Sequence, residues 1–375
     1  MSTISDLPAS PAVSAASSPA GPAVDSPGVD AGIPWHFGEP LKEQRALAEG
    51  AAVIDRSNRG VLVVPGSDRL GWLHSICSQH VSQLRDGEST ETLILSPNGH
   101  VEQHWQVTEL GEQLWLDVEP GSNGEALAYL EKMRFMKRVE PADLSDSYGV
   151  LTLIGPDAAT VLVGSGLPLP VSVATSPVVP ADSKTAPSAK MNPVPEAVAP
   201  TTDARPLPDG GFIRQVADGH YDLIVPLAQL TATLDALKAA GAEQAGSWAL
   251  EAWRVERLRP RLGFDTDHRT LAHEVGWIGS AVHLDKGCYR GQETVARVQN
   301  LGRPPRRLVL LHLSGESDNL PAPGTPVESA GRSVGFLGTS VQHYELGPIA
   351  LAVIKRSIPD EAELSVGGFA AAIDH

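Results

Sequence analysis

One stretch concentrates the reactive chemistry of this chain: Asp285-Lys286-Gly287-Cys288-Tyr289-Arg290-Gly291-Gln292-Glu293. It sets one of only two cysteines in 375 residues between a lysine and an arginine. Gln292 to Val298 reads as the opening of a helix, with Gln and Glu in its first turn and Val295 and Val298 facing inward. Cys288 is then expected just before a helix N-terminus, where free N–H groups and the positive dipole end favour an anion. With Lys286 and Arg290 beside it, the thiol is expected to carry thiolate character. Gly287 and Gly291 permit backbone angles and a close approach that a β-carbon forbids. The same residues also fit a small apolar cysteine buried where a strand meets a helix.

A second candidate lies on the helix Trp248 to Arg259. Glu256 has Trp253, Ala252 and Ala249 at helical spacing, which places a carboxylate on an apolar stripe. Such a group needs a partner. Arg259, one turn on, is the simple one, and a ligand edge with two parallel N–H donors, such as an aminopyrimidinone, is the other. In the strand His100 to Val107, His100, Glu102 and His104 share a face. They lack a closed metal-ligand set and fit the solvated face of an antiparallel strand. Lys132, Arg134, Lys137 and Arg138 close another helix, where cations suit the dipole or meet an anionic ligand tail.

The elements that must position these groups follow from pattern. Residues 1–32 are rich in Ala, Ser and Pro and hold no aromatic, so a disordered tail is expected there. Thr92–Leu95, a turn at Ser96-Pro97-Asn98-Gly99 and His100–Val107 read as a β-hairpin. Residues 168–208 hold ten prolines and no aromatic, as a flexible insert within one domain would. From Arg303 on, short strands separated by Gly/Pro turns predict a small barrel or sandwich. The segments are therefore 1–32, 33–167, 168–208, 209–302 and 303–375.

Composition narrows the function. A formal charge of −16 argues against an extensive nucleic-acid footprint. Two cysteines, Cys77 and Cys288, make no disulfide framework and suit a reducing compartment. Residues 1–34 carry no Lys or Arg, so no secretory or mitochondrial leader is expected. No apolar run approaches the ~20 residues of a membrane span. A cytoplasmic protein is the expectation.

Lys286-Gly287-Cys288-Tyr289 followed by Gly291-Gln292-Glu293 resembles the K-G-C-Y-x-G-Q-E signature of the YgfZ family, folate-binding relatives of the glycine-cleavage T-protein. Trp253 to Gly263 and the Ser96–His100 turn resemble the same family, and the likeness runs from about residue 33 to the end outside the insert. The resemblance implies an α+β fold: a GcvT/YgfZ-like ring of α/β subdomains around a tetrahydrofolate cleft, with a C-terminal β-barrel. It implies a tetrahydrofolate-binding accessory factor for iron–sulfur cluster assembly or repair, with iron–sulfur client proteins linked to tRNA modification. Cys288 would be the functional thiol. Glu256 falls where the T-proteins bind the pterin, and Arg259, Lys286, Gly287, Tyr289, Gly291, Gln292 and Glu293 would complete the folate site; no metal site is implied. Where T-proteins carry paired aspartates, this chain aligns Gln103 and His104, which weakens the case for aminomethyl transfer. A one-carbon transferase with His104 or Glu102 in that role is the alternative. A folate-independent cysteine nucleophile, assisted by His283 or His273, is the third reading.

Overall fold

The structure, a computed structural model, describes residues 22–170, 201–315 and 319–374. The chain opens with β1 (Val24–Asp25) and β2 (Pro34–His36), which pair with each other, and continues through α1 (Pro40–Glu49), β3 (Ala52–Asp55), β4 (Gly60–Pro65) and α2 (Arg69–Ile76). The expected hairpin forms as β5 (Glu88–Leu95) and β6 (Val101–Leu110), followed by β7 (Gln113–Val118), α3 (Asn123–Arg134), β8 (Ala142–Asp143), β9 (Tyr148–Ile154) and α4 (Ala158–Gly164). Then come β10 (Thr202–Pro206), β11 (Phe212–Ala217), β12 (His220–Pro226), α5 (Leu230–Ala239), β13 (Glu243–Ala245), α6 (Ser247–Glu256) and α7 (Gln292–Leu301). The last six strands are β14 (Arg306–Leu313), β15 (Pro326–Ser329), β16 (Arg332–His343), β17 (Gly347–Lys355), β18 (Leu364–Val366) and β19 (Phe369–Ile373).

Eleven strands form one sheet in the order β13-β3-β9-β12-β11-β10-β5-β6-β7-β4-β8, antiparallel apart from the β13–β3 edge. Two apolar cores cover its two halves. One packs α2 and α3 side chains such as Trp72, Leu73 and Leu130 on β4, β6 and β7; the other packs Val161, Leu162 and Leu237 on β3, β9 and β12. Cys77 lies in the first core, as its apolar surroundings in the sequence imply.

The C-terminal strands close a barrel in the order β14-β17-β16-β15-β18-β19. Alternating apolar residues, including Leu311, Leu337, Ala352, Ile354 and Val366, fill its interior. β18 and β19 are separate strands of one hairpin, because Gly367 and Gly368, both at positive φ, turn the chain back on itself. Helix α6 is the joint of the molecule. Ala249 and Leu250 face β3 and β13, whereas Ala252 and Val255 face the barrel beside Val341 and Ile349.

Two expectations need correction. Of the tail expected to be disordered, residues 1–21 lie outside the described residues. Residues 22–32 are ordered, because Asp30 is drawn into a buried ion pair with Arg261 at 2.5 Å. Of the expected insert, 171–200 lies outside the described residues, whereas 202–206 forms β10. That strand pairs with β11 and with β5 and so stitches the two halves of the sheet. Short strands of this kind are defined by their partners more than by local pattern. Among the described residues no helix is long and apolar enough to cross a membrane.

Candidate functional site

A cavity of about 900 Å³ lies where both halves of the sheet, α6 and the barrel meet. The strands β5, β7 and β12 supply Glu91, Asp117 and Asp222, and the β3–β4 connection supplies Arg56 and Arg59; α6 and its trailing loop supply Glu251, Trp253, Arg259 and Arg261. The barrel contributes Arg307 and Leu308. Its walls are held by buried guanidinium–carboxylate pairs. Arg59 bridges Asp117 at 2.9 Å and Glu119 at 3.0 Å, Arg214 joins Asp117 and Asp222 at 2.5 and 2.8 Å, and Arg261 ties Glu119 to Asp30. Burial opposes ionisation of Glu119 and Asp222, yet Arg261 and Arg59 outweigh it at Glu119, and His220 with Arg214 outweighs it at Asp222, so both carboxyls are held well below the usual range.

His104 enters this cavity, its ring 4.8 Å from that of Trp277 and its Nε2 2.9 Å from Glu91. Burial raises the pKa of Glu91, but the His104 contact, Ser280 and Arg259 reverse that and bring it down to about 2. Gln103 accepts a hydrogen bond from Trp105 Nε1 at 2.8 Å. Glu102 turns away to an exposed ion pair with Arg290 at 3.0 Å. Of the two candidates for the missing aspartate, only His104 reaches the cavity. Among the described residues no group of three or more His, Cys, Asp or Glu side chains is placed to hold a metal ion.

Glu256 does not line the cavity. It faces the other side of α6, half-exposed, paired with the neighbouring Arg257 and 3.9 Å from His343. The buried carboxylate of this helix is Glu251, one and a half turns earlier, paired with Arg254. The partner predicted for Glu256, Arg259, stacks over Trp253 at 5.3 Å and does line the cavity. Because α6 is apolar toward both the sheet and the barrel, its buried face runs through Val255 and leaves Glu256 outside.

No residue of 285–293 lines the cavity either. Cys288 is exposed, and both flanking cations are engaged elsewhere. Lys286 is turned inward at 5% exposure, its Nζ donating to the backbone carbonyls of His74, Cys77 and Gln79 at 2.5, 2.5 and 3.2 Å. It completes the C-terminal end of α2, where carbonyls lack helical partners. Arg290 holds Glu102. The expected place of this thiol in the folate site is therefore not what the fold builds: Cys288 stands on the outer surface. Glu293 is exposed, Tyr289 is buried against Leu93, Leu95 and Val295, and Gln292 Nε2 donates to Lys286 O at 3.3 Å.

The motif instead locks the β5–β6 turn. Gly291 sits at φ +83°, and a Cβ there would lie 2.6 Å from Ser96 O and 2.9 Å from Gly99 Cα. A Cβ on Gly99 would in turn lie 2.6 Å from Thr294 Cβ. The two stretches singled out by resemblance are thus one contact. Gly287 has open space around its Cα and no positive φ, so it has no such steric role. A Gly291→Ala variant is expected to lose at least about 2 kcal/mol from the left-handed angle and the clash, read by urea denaturation; an unchanged midpoint would contradict the close packing.

Next to this anchor the rings of His74, His80 and His283 meet in succession, the first pair edge to face at 4.6 Å and the second tilted at 5.3 Å between centroids. Burial, Lys286 and the other two imidazoles push His74 down to about 4 from 6.5. Burial likewise lowers His80. A histidine kept neutral in the fold takes up its proton more readily once unfolded, so its contribution is complete above the unfolded pKa and is lost as pH falls. Stability is expected to drop between pH 6.5 and 4, and thermal melts of His74→Asn should show a shallower decline across that window.

His283 Nδ1 accepts from the Asp285 amide at 3.2 Å, and His273 Nε2 lies 3.3 Å from Gln299 Oε1. These contacts give the cysteine-nucleophile reading no positioned base.

Residues 31–167 match the GCVT N-terminal domain, and residues 306–374 match the CAF17 C-terminal beta-barrel domain. An aminomethyltransferase of Geobacillus kaustophilus is 28% identical over 346 residues, 90% of this chain and 88% of that protein. One from Symbiobacterium thermophilum is 27% identical over 82% of this chain and 79% of its own length. A putative chloroplastic transferase of Arabidopsis thaliana is 25% identical over 78% of this chain, which spans only 62% of that protein. The crystal structure of glycine cleavage system aminomethyltransferase T from Bartonella henselae superposes with a TM-score of 0.76 at 19% identity, covering 95% of this chain and 94% of that one. The fold is GcvT-like, with a closed six-stranded barrel at its C-terminus.

Proposed function

We propose, on the premise that the chain is a GcvT-like protein of the CAF17/YgfZ family, that it binds tetrahydrofolate in the central cavity as an accessory factor for iron–sulfur proteins. In this reading it works in the cytoplasm on clients that include iron–sulfur enzymes modifying tRNA. The observation that carries the folate half is the cavity itself. Its 900 Å³ lies at the upper end of the range for small-molecule sites and suits an elongated ligand with a ring at one end and carboxylates at the other. Trp253 and Trp277 offer apolar faces for a ring. Arg259 lies at the same wall, and Arg307 Nε is buried there without a hydrogen-bond partner, as a site for a carboxylate tail would leave it.

Bound folate would supply a one-carbon carrier; the chain's own residues bind and orient it. The arginine-bridged walls fix the cavity's shape, and Trp253 and Trp277 keep water from the ring. Cys288 is outside that chamber, so its part in the proposal is contact with a client at the surface rather than chemistry on the folate. Calorimetric titration of the full chain with tetrahydrofolate tests the binding: saturable heat at one site is the expected result, and its absence removes folate from the account. In cells lacking the protein, a Cys288→Ala variant is expected to fail to restore iron–sulfur enzyme activity while still binding folate. Full restoration would remove the thiol.

One observation favours a transferase instead. Glu91, ionised and adjacent to His104 in the cavity wall, puts a carboxylate near the position that the aligned Gln103 and His104 lack. Such a charge stabilises a developing iminium. Folate-dependent release of formaldehyde or ammonia from an aminomethyl donor, lost in Glu91→Gln, would establish this reading; no release would leave the accessory role.

A further inference from the structure

Many carboxylates stand in the cavity wall, yet their oxygens already face cations. Asp222 accepts from Thr152 Oγ1 at 2.6 Å and from Arg214 at 2.8 Å. Asp117 Oδ1 lies 2.5 Å from Arg214 Nη1, a charge contact without hydrogen-bond alignment, while its other oxygen takes Arg59. Glu119 and Glu251 are held by Arg261 and Arg254, and Glu91 by His104. Diverting one of these oxygens to a ligand leaves a buried guanidinium short of its partner, which is costly.

Two acceptors on the same wall are open. Gln215 Oε1 and both ring nitrogens of His220 have no hydrogen-bond partner, although the residues are only 8% and 6% exposed. Both line the cavity at the turn end of the β11–β12 hairpin. The register shifts between Gln215 and Ala217, and a bulge of this kind re-aims side chains where a strand meets a site. His220 Nε2 lies 3.6 Å from Asp222 Oδ1, too far for a hydrogen bond but near enough to keep the ring proton on that nitrogen. Burial, only partly offset by Asp222, keeps the imidazole neutral, which leaves Nδ1 as an acceptor. The ring meets Trp253 edge to face at 5.1 Å. Buried acceptors left open beside an aromatic face are costly to the empty fold and are satisfied when donors arrive.

We propose that Gln215 Oε1 and His220 Nδ1 receive the ring N–H donors of the cavity's ligand, a planar amino-substituted heterocycle lying against Trp253. Neutral acceptors then read the ring where a carboxylate was expected, and Glu256 has no part in it. The proposal deepens the folate reading and rests on it.

The test is calorimetry on the full chain with two probes: tetrahydrofolate, and p-aminobenzoylglutamate, which keeps the tail and lacks the ring. Gln215→Leu and His220→Phe are expected to weaken tetrahydrofolate roughly tenfold or more each, the effect of losing one buried hydrogen bond. Binding of the tail fragment should be unchanged. Gln215→Glu, which keeps an acceptor, should retain affinity for tetrahydrofolate. In the wild-type protein, labelled at histidine with ¹⁵N, the His220 Nδ1 resonance should move when tetrahydrofolate is added; this readout needs no variant to fold. Equal weakening of both probes, or no weakening together with an unmoved His220 resonance, overturns the proposal while leaving folate binding intact. No binding of tetrahydrofolate to the wild type overturns the folate reading and this proposal with it.

Discussion

Arg254→Met is expected to destabilise the protein by about 3–5 kcal/mol, the cost of stripping a buried carboxylate of its cation. Arg254 Nη1 donates to Asp265 Oδ2 at 2.6 Å, and its Nη2 reaches Glu251 on the same helix and Thr339 in the barrel. Asp265 is wholly buried, and its Oδ1 accepts from the Thr339 amide at 2.7 Å. One guanidinium therefore fastens α6, the loop behind it and β16 together at the back of the cavity. Met keeps most of the apolar stem, so the loss reports charge rather than packing. Hydrogen exchange at Leu337–Val341 should rise with the fall in denaturation midpoint. The double variant Arg254→Met/Asp265→Leu should recover part of the loss, because removing both partners costs less than orphaning one. A single variant as stable as wild type would show that the joint is held by Ala252 and Val255 packing alone.

Lys286→Met is expected to cost about 3 kcal/mol, from charge-assisted hydrogen bonds of about 1.5–3 kcal/mol each, less what water recovers. Its ammonium is the partner of three backbone carbonyls at the end of α2. Burial lowers its pKa, so the contacts are made against a desolvation penalty. Without them the segment Leu284–Arg290 loses its inner anchor, and limited proteolysis should cut there before global unfolding. Tetrahydrofolate affinity is expected to be unchanged, since no residue of this segment lines the cavity. A variant that loses folate binding but keeps its stability would return Lys286 to the ligand.

Long periodic elements were legible in the sequence: the β5–β6 hairpin, β9, α6, α7 and the barrel strands all follow from local pattern. So was the importance of Lys286 to Glu293, through two glycines and a cysteine between cations. What the pattern could not tell was direction. A lysine beside a cysteine is as compatible with an inward anchor as with an activating charge, and Lys286 points inward. Apart from His104 and Arg259, the cavity residues carry little local signal, for a different reason. Arg59, Asp117, Arg214 and Asp222 are scattered over more than 160 residues, and Asp117 and Asp222 alternate with apolar neighbours as the polar side of a solvated strand does. A charged residue in an otherwise apolar run, as Asp117 is between Leu116 and Val118, was the signal available. Only the sheet order brings β7, β11 and β12 to one chamber.

The central claim is that a reduced folate occupies the chamber between the sheet, α6 and the barrel. The most direct measurement is a crystal structure of the full chain with tetrahydrofolate. Density for the ring against Trp253, within hydrogen-bond reach of Gln215 and His220, with the tail toward Arg259 or Arg307, is the predicted result. Density confined to the outer face, beside Glu256 or Cys288, with the chamber holding solvent, would contradict it.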